Sequence, residues 1–237
     1  SISSIAITRD GTIYVGTGGG IFEGGLSFEG SGVTSGDGIW YSQDDGETFQ
    51  QLDGTNGEDI TKVIAADTTV TNTIYYSGAS LGVKKVVDLG TPSSVNDVPT
   101  ATTGDIKVSN DGQVLITGVS QGGQRTWVSQ DGGNTWTDLH STGQLTGSGA
   151  GRSEYAISSF KNANGFYTLY ACFVTNSGAL KGVYRSIDNG TNWCQIGPGA
   201  TTGFAPFGDN TQGLYDCVIA SHPTEDGCIL GGIDLWK

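Results

Sequence analysis

The sequence has 237 residues, enough for a substantial core, and 40 of them are glycine whereas methionine is absent. Its 24 acidic against 11 basic side chains give a net charge of −13, which argues against a sequence-independent grip on nucleic acid or on an anionic membrane surface. No apolar run approaches the roughly 20 residues that span a bilayer, so membrane insertion is not expected. Abundant glycine with few helix-forming stretches predicts an all-β fold with tight turns and without helices.

Taken in chain order, short alternating apolar segments predict five units of antiparallel strands. The approximate units are 1–54, 55–103, 104–143, 153–199 and 212–237, and the last lacks its outermost strand. In each unit an inner strand turns into a second strand, a longer loop follows, and the third strand leads into another turn. A four-stranded propeller blade takes roughly 40–50 residues, so these units have the length of blades.

One turn sequence occurs three times: WYSQDDGETF, WVSQDGGNTW and YRSIDNGTNW. In such a turn an Asp carboxylate accepts backbone N–H bonds, a glycine supplies a positive φ, and an aromatic ring returns to the sheet. The copies begin 87 residues (129 minus 42) and then 57 residues (186 minus 129) apart, so the second unit has a turn near residues 85–95 without the motif. The shared positions are Ser42, Asp44, Gly46 and Phe49; Ser129, Asp131, Gly133 and Trp136; and Ser186, Asp188, Gly190 and Trp193.

These three turns resemble the Asp-box (BNR) repeats of sialidase-like β-propellers over nearly the whole chain. The resemblance implies a single partial β-propeller over 1–237, with about five four-stranded antiparallel blades and a ring that this chain leaves incomplete. Further blades from a longer chain are then expected as partners. In that family the Asp-boxes lie opposite the ligand-binding mouth, which implies a structural role for the twelve shared positions.

The closing segment YDCVIASHPTEDGCILGGIDLWK resembles blades of large secreted or cell-surface proteins of Bacteroidetes-type bacteria, which commonly use type IX secretion. This likeness implies an extracellular or cell-surface location. The four cysteines, Cys172, Cys194, Cys217 and Cys228, are compatible with an oxidising compartment. Cys217 and Cys228 lie on the two arms of one predicted hairpin, which suggests a cross-strand disulfide and leaves Cys172 and Cys194 as a second pair. The alternative is that some are buried small apolar residues.

Sialidase activity is disfavoured by the arginine content. A sialidase clamps its substrate carboxylate with three arginines, whereas this chain has four in all, and Arg9 and Arg185 lie in or beside turns. No cofactor is expected, and no metal, because the cysteines lack C-x-x-C spacing and His140 and His222 have no second ligand nearby in sequence.

A glycoside hydrolase with two carboxylates remains open, because such an enzyme needs only two acids held across a cleft. The predicted mouth-side loops supply Glu23, Glu29 and Asp209 as catalytic candidates, and they also carry His140 and Glu154. Aromatic rings beside acids suit sugar binding. The candidate ligand-binding residues are Phe22, Phe28, Arg152, Phe204 and Phe207.

The preferred hypothesis is a secreted or cell-surface propeller that binds a protein or a glycan at its loop face, without catalysis in this segment. The alternative is a xyloglucanase-like polysaccharide hydrolase with a carboxylate pair in a groove on that face.

Overall fold

The structure is a computed structural model that describes residues 1–19, 35–66, 72–95, 98, 103–119, 125–145, 150–197, 204–208 and 212–237. Five antiparallel sheets make up the described part, four of them with four strands and the last with three. The predicted all-β fold is confirmed. One helical turn, α1 (Gly213–Asp216), was not expected and leads into the last sheet.

Each sheet is a simple meander of consecutive strands, and we name the sheets blades 1 to 5 in chain order. The strands are β1 (Ile2–Ile7), β2 (Ile13–Thr17), β3 (Ile39–Ser42) and β4 (Gln50–Gln51) in blade 1; β5 (Ile60–Ala66), β6 (Thr73–Gly78), β7 (Gly82–Val87) and β8 (Ser93–Ser94) in blade 2; β9 (Thr103–Val108), β10 (Leu115–Val119), β11 (Thr126–Ser129) and β12 (Thr137–Asp138) in blade 3; β13 (Ala150–Lys161), β14 (Tyr167–Thr175), β15 (Leu180–Ser186) and β16 (Cys194–Gly197) in blade 4; and β17 (Val218–Ser221), β18 (Cys228–Gly231) and β19 (Leu235–Trp236) in blade 5.

These bounds lie inside the five units drawn from the sequence, except that β9 begins one residue before its unit and β13 begins three residues before its own. The third and fourth strands of blade 2 are joined through residues 88–92, where no copy of the motif occurs. Asp88 and Leu89 there adopt positive φ angles of 48° and 59°. The turn between the third and fourth strands of blade 2 therefore has a different backbone conformation from the repeated turns.

The blades stand side by side around a common axis. The inner strands contact one another in chain order, β1 with β5, β5 with β9, β9 with β13, and β13 with β17. All five also line one central cavity. This is the arrangement of β-propeller blades.

The core lies between blades rather than within one sheet. Four buried clusters fill the four gaps between neighbouring blades. Because a middle strand is covered on both faces, β6 is buried along its whole length and β14 along all but its last residue. Among the described residues, no helix is long and apolar enough to cross a membrane.

The three repeated turns share one hydrogen-bond pattern. In the second copy the Ser129 hydroxyl donates to Asp131 at 2.8 Å and accepts the Gly133 N–H at 2.9 Å. The Asp131 carboxylate also accepts the Thr135 N–H at 2.9 Å. Gly133, the third of the four shared positions, has a φ of 79°, a backbone conformation that favours glycine. These contacts close the turn within itself, as the sequence suggested.

In blades 3 and 4 the aromatic residue that ends the repeated turn packs onto the preceding blade. Trp136 of blade 3 is 8% exposed and joins the cluster between blades 2 and 3, and Trp193 of blade 4 packs on the cluster between blades 3 and 4. Phe49 of blade 1 has no described blade before it and is 41% exposed. The same face of blade 1 exposes Ile5 and Ile7 by 59% and 61%.

The hairpin of blade 5 corrects the predicted disulfide. β17 and β18 pair so that Ser221 lies opposite Cys228 and Val218 lies opposite Gly231. Cys217 precedes β17, so it sits at the other end of the hairpin from Cys228, and the predicted cross-strand bond is wrong. The reason is the register: residues on facing strands pair symmetrically about the turn, and these two cysteines are not symmetric about it.

Candidate functional site

The central cavity lies toward the face at which the inner strands begin. We call this the loop face. The opposite face, which we call the turn face, carries the repeated turns, because the third strands of blades 1, 3 and 4 run parallel to the first strands and end in such turns. The cavity has a volume of about 480 Å³ and is lined by Ser1, Ile2, Ser3, Gly18, Gly19, Thr61, Lys62, Gly104, Asp105, Lys107, Arg152, Glu154, Cys217 and Val218.

Among the described residues, five charged side chains concentrate in the wall of this cavity. Lys62 comes from β5, Asp105 and Lys107 from β9, and Arg152 and Glu154 from β13. Three of these side chains are basic and two are acidic, whereas acidic side chains predominate in the whole chain, whose net charge is −13. The described part of the cavity wall is therefore locally basic in an acidic protein.

Asp105 connects two blades. Its carboxylate accepts a hydrogen bond from Lys107 Nζ at 2.8 Å through Oδ1 and from the Tyr155 backbone N–H at 3.0 Å through Oδ2. The Asp105 side chain is 4% exposed. A buried carboxylate is tolerated only when it is paired and hydrogen-bonded, and both conditions are met here. The Tyr155 hydroxyl in turn lies 2.9 Å from the Thr126 hydroxyl.

Arg152 and Glu154 form a second ion pair, which is largely but not fully buried. Arg152 donates to Glu154 Oε1 through Nε at 3.0 Å and through Nη2 at 2.8 Å. Its Nη1 donates to the carbonyl oxygens of Leu214 and Tyr215, both at 2.9 Å. The guanidinium thus holds α1 against the cavity wall. Four donated bonds leave little of this side chain available to a ligand.

The surroundings of Glu154 favour the protonated form of its carboxyl group. Burial, followed by repulsion from Asp105, raises the pKa of Glu154 to about 7, although Arg152 and Lys107 act in the opposite direction. For Lys107, burial acts to lower the pKa, but the combined attraction of Asp105 and Glu154 outweighs burial, so the pKa is raised. The cluster can thus exchange a proton near neutral pH at Glu154 while Lys107 stays charged.

The structure places only part of the predicted site at this cavity. Of the candidate ligand-binding residues Arg152 lines it, whereas Phe204 lies at the outer edge of blade 5 with its ring 4.9 Å from that of Trp236. Phe207 is 1% exposed in the core between blades 4 and 5. The prediction that Phe207 binds ligand is therefore wrong, because its ring fills the packing between blades. The candidates Glu23, Glu29, Asp209, Phe22 and Phe28 lie outside the described residues.

His140 does not line the cavity. It follows β12 at the outer edge of blade 3, where burial lowers the pKa of its imidazole. Within the described ranges, no group of three or more His, Cys, Asp or Glu side chains is placed to hold a metal ion.

Sequence reasoning missed Lys62, Asp105 and Lys107. The available signal was the alternation in DIKV, residues 105–108, which puts two charged side chains on one face of an inner strand. Ile106 between them packs in the core between blades 2 and 3, whereas Asp105 and Lys107 lie on the other face of β9 and line the cavity. Charged residues at alternate positions of such a strand therefore indicate a polar axial cavity.

No protein-family profile matches this chain, and no curated protein sequence matches it. Solved structures do resemble it. The GH74 xyloglucanase from Xanthomonas campestris has a TM-score of 0.63 and 15% identity over 98% of this chain. The GH74 enzyme of Niastella koreensis has a TM-score of 0.65 and 16% identity over the same share. The extracellular domain of a putative hybrid two-component system from B. thetaiotaomicron has a TM-score of 0.56 and 13% identity, also over 98%.

The chain spans 35%, 36% and 26% of the length of these three proteins. At such identities the likeness establishes the β-propeller fold and nothing finer.

Proposed function

We propose that this chain is a non-catalytic binding module of a secreted or cell-surface protein, and that it binds a glycan or a protein at the loop face with the central cavity as its centre. The observation that carries the proposal is that both described acids in the cavity are engaged in hydrogen bonds with neighbouring protein groups. Asp105 is bound to Lys107 and to the Tyr155 N–H, and Glu154 is bound to Arg152. Acids held in this way shape a polar pocket and are poorly placed to attack a substrate.

Lys62 is the side chain through which we test this role. It is half-buried in the cavity wall, so an anionic or hydroxyl-rich ligand at the loop face would meet its ammonium group. Lys62→Glu is expected to weaken binding to a panel of plant and bacterial polysaccharides, measured by affinity electrophoresis. Lys161→Glu, at the turn-face end of β13, is the matched control and is expected to leave binding unchanged. Equal loss in both variants would contradict the proposed location.

The three repeated turns support assignment to the Asp-box propellers, in which these turns are structural. We place the twelve turn residues in that role, on the turn face and away from the ligand. Secretion by the type IX route belongs to the same proposal. It is tested by locating the full-length protein in cell fractions of its host.

A polysaccharide hydrolase of the xyloglucanase type is the second candidate. The observation that favours it is Glu154, whose pKa is raised to about 7 beside Asp105, since a general acid must hold its proton near neutral pH. Glu23, Glu29 and Asp209 stay candidates for the partner acid. The test is release of reducing ends from xyloglucan, which Glu154→Gln and Glu23→Gln would each abolish if this function is correct.

We also propose that further blades of a longer chain cover the exposed face of blade 1. The support is Phe49, which is 41% exposed where the equivalent Trp136 is 8% exposed. Amide hydrogen exchange tests this proposal. Residues of β1 to β4 should exchange more slowly in the full-length product than in the 237-residue chain, and equal rates would contradict it.

A further inference from the structure

Two cysteine thiols meet at the boundary between blades 4 and 5. Cys172 lies in β14, a middle strand of blade 4, and Cys217 immediately precedes β17, the inner strand of blade 5. Their Sγ atoms are 3.7 Å apart, which is van der Waals contact. The two residues are 0% and 2% exposed and belong to the apolar cluster between these blades.

The other two cysteines are placed differently. Cys194 is exposed, and its Sγ lies 3.5 Å from the Arg185 carbonyl oxygen. Cys228 is partly buried and faces Ser221 across the hairpin. The position of each thiol therefore distinguishes one pair, Cys172 with Cys217, from the pairings that sequence spacing alone suggests.

We propose that Cys172 and Cys217 form a disulfide that fastens blade 4 to blade 5. A disulfide needs its sulfur atoms about 2 Å apart, so the two Sγ atoms have to approach by less than 2 Å. The bond is apolar and replaces two apolar thiols in an apolar cluster, so closing it leaves no polar group unsatisfied. The expectation that the bond persists in the organism rests on the proposed secretion, because disulfides are kept in oxidising compartments.

The reaction is a thiol–disulfide exchange. Two S–H bonds are broken and one S–S bond is formed, and the two protons and two electrons pass to an external disulfide, which becomes two thiols. Contact with Cys217 and burial both raise the pKa of the Cys172 thiol, which disfavours its reactive thiolate in the folded protein. The bond should accordingly form during folding, before the blades close over it.

The bond would also stiffen the cavity. Cys217 lines the cavity wall, and α1 beside it is bound by Arg152 through two backbone carbonyls. The cross-link joins residues 45 positions apart. It therefore restricts the unfolded chain and holds the inner strand of blade 5 at the loop face.

The test uses the whole 237-residue chain, refolded in a mixture of reduced and oxidised glutathione, alkylated and mapped by mass spectrometry without reduction. The expected result is one cross-linked peptide pair that contains Cys172 and Cys217, with Cys194 and Cys228 alkylated. Reduction should then lower the melting temperature by roughly 5–10 °C. Four alkylated cysteines, or a cross-link to Cys194 or Cys228, would overturn the pairing.

Two double variants keep the test sharp. Cys194→Ala with Cys228→Ala should retain both the cross-link and the sensitivity of the melting temperature to reduction. Cys172→Ala with Cys217→Ala should lose both the cross-link and the sensitivity to reduction. Lost packing lowers the melting temperature of this variant, but reduction should not lower it further. Since this assay needs no ligand, its failure leaves the binding proposal intact, and a failure of ligand binding leaves the pairing intact.

Discussion

Asp105 in blade 3 accepts a hydrogen bond of 3.0 Å from the backbone N–H of Tyr155 in blade 4. The inner strands of neighbouring blades form no shared sheet, so such bonds are what fix one blade to the next near the axis. Ser4 makes the same kind of contact from blade 1 to blade 2, where its hydroxyl accepts the Val63 N–H at 3.2 Å. The charged cavity therefore has a structural part in the fold as well as the binding part proposed for it.

Replacing Asp105 should destabilise the fold strongly. Asp105→Ala removes the partner of the partly buried Lys107 ammonium and leaves the Tyr155 N–H unsatisfied, which is expected to lower the free energy of unfolding by about 2–4 kcal/mol. Denaturant titration measures this change. Glu225→Ala is the control, because its ion pair with Lys237 is exposed and its loss should change stability little. Similar effects in the two variants would contradict the role of Asp105.

Glu154 should make stability depend on pH. Its pKa is about 7 in the fold against 4.5 for the ordinary group, so the folded state binds this proton more tightly than the unfolded state. The stabilisation from the protonated form is complete below about pH 4.5 and is lost as the pH rises to about 7, by up to about 3 kcal/mol. In Glu154→Gln this loss should disappear. Parallel curves for the two proteins, from denaturant titrations between pH 4.5 and 7.5, would show that Glu154 has no such shift.

The glycines of the second and third repeated turns, which pack on a preceding blade, should differ from exposed glycines of positive φ. Gly190 has a φ of 89°, and a Cβ there would lie 2.9 Å from Val128 Cγ1 in blade 3. Gly57 has a φ of 75° and no atom within 4 Å of such a Cβ. Gly57→Ala should cost only the left-handed strain of about 1–2 kcal/mol, whereas Gly190→Ala should add about 1–3 kcal/mol of overpacking. Equal losses in thermal melts would argue against close packing of the turn on the preceding blade.

The aromatic residues that end the repeated turns should contribute unequally. Trp136→Ala removes a ring that is buried between blades 2 and 3, with an expected loss of about 3–5 kcal/mol. Phe49→Ala removes a ring that is 41% exposed in this chain, so its loss should be less than half as large. Chemical denaturation of both variants checks the ratio. A Phe49 effect as large as that of Trp136 would mean that the ring is covered by another surface.

The blades could be predicted from the sequence because the patterns that define them involve residues close together in the chain. Ser129, Asp131 and Gly133 close a turn through bonds within a few residues, so spacing alone identifies it, and alternating strands complete each blade. The cavity depends on distant residues. Asp105 and Tyr155 are 50 positions apart, and no periodicity within one blade brings them together.

Two predictions from the sequence are wrong, each for its own reason. The sequence predicts ligand binding by Phe207 because it lies on a predicted mouth-side loop beside an acid, yet its ring packs between two blades. The pairing of Cys217 with Cys228 assumed a register that only the observed hairpin determines. The ring of Phe207 is placed by packing between blades 4 and 5, whereas the positions of the two cysteines are set by strand pairing within the hairpin of blade 5.

The central claim, binding at the loop face without catalysis, is tested most directly by one assay that measures retention and cleavage together. The 237-residue protein is incubated with immobilised polysaccharides, xyloglucan among them, and both bound protein and released reducing ends are recorded. Our account predicts retention that Lys62→Glu weakens and Lys161→Glu does not, with no reducing ends above the level without protein. Release of reducing ends that Glu154→Gln abolishes would contradict it.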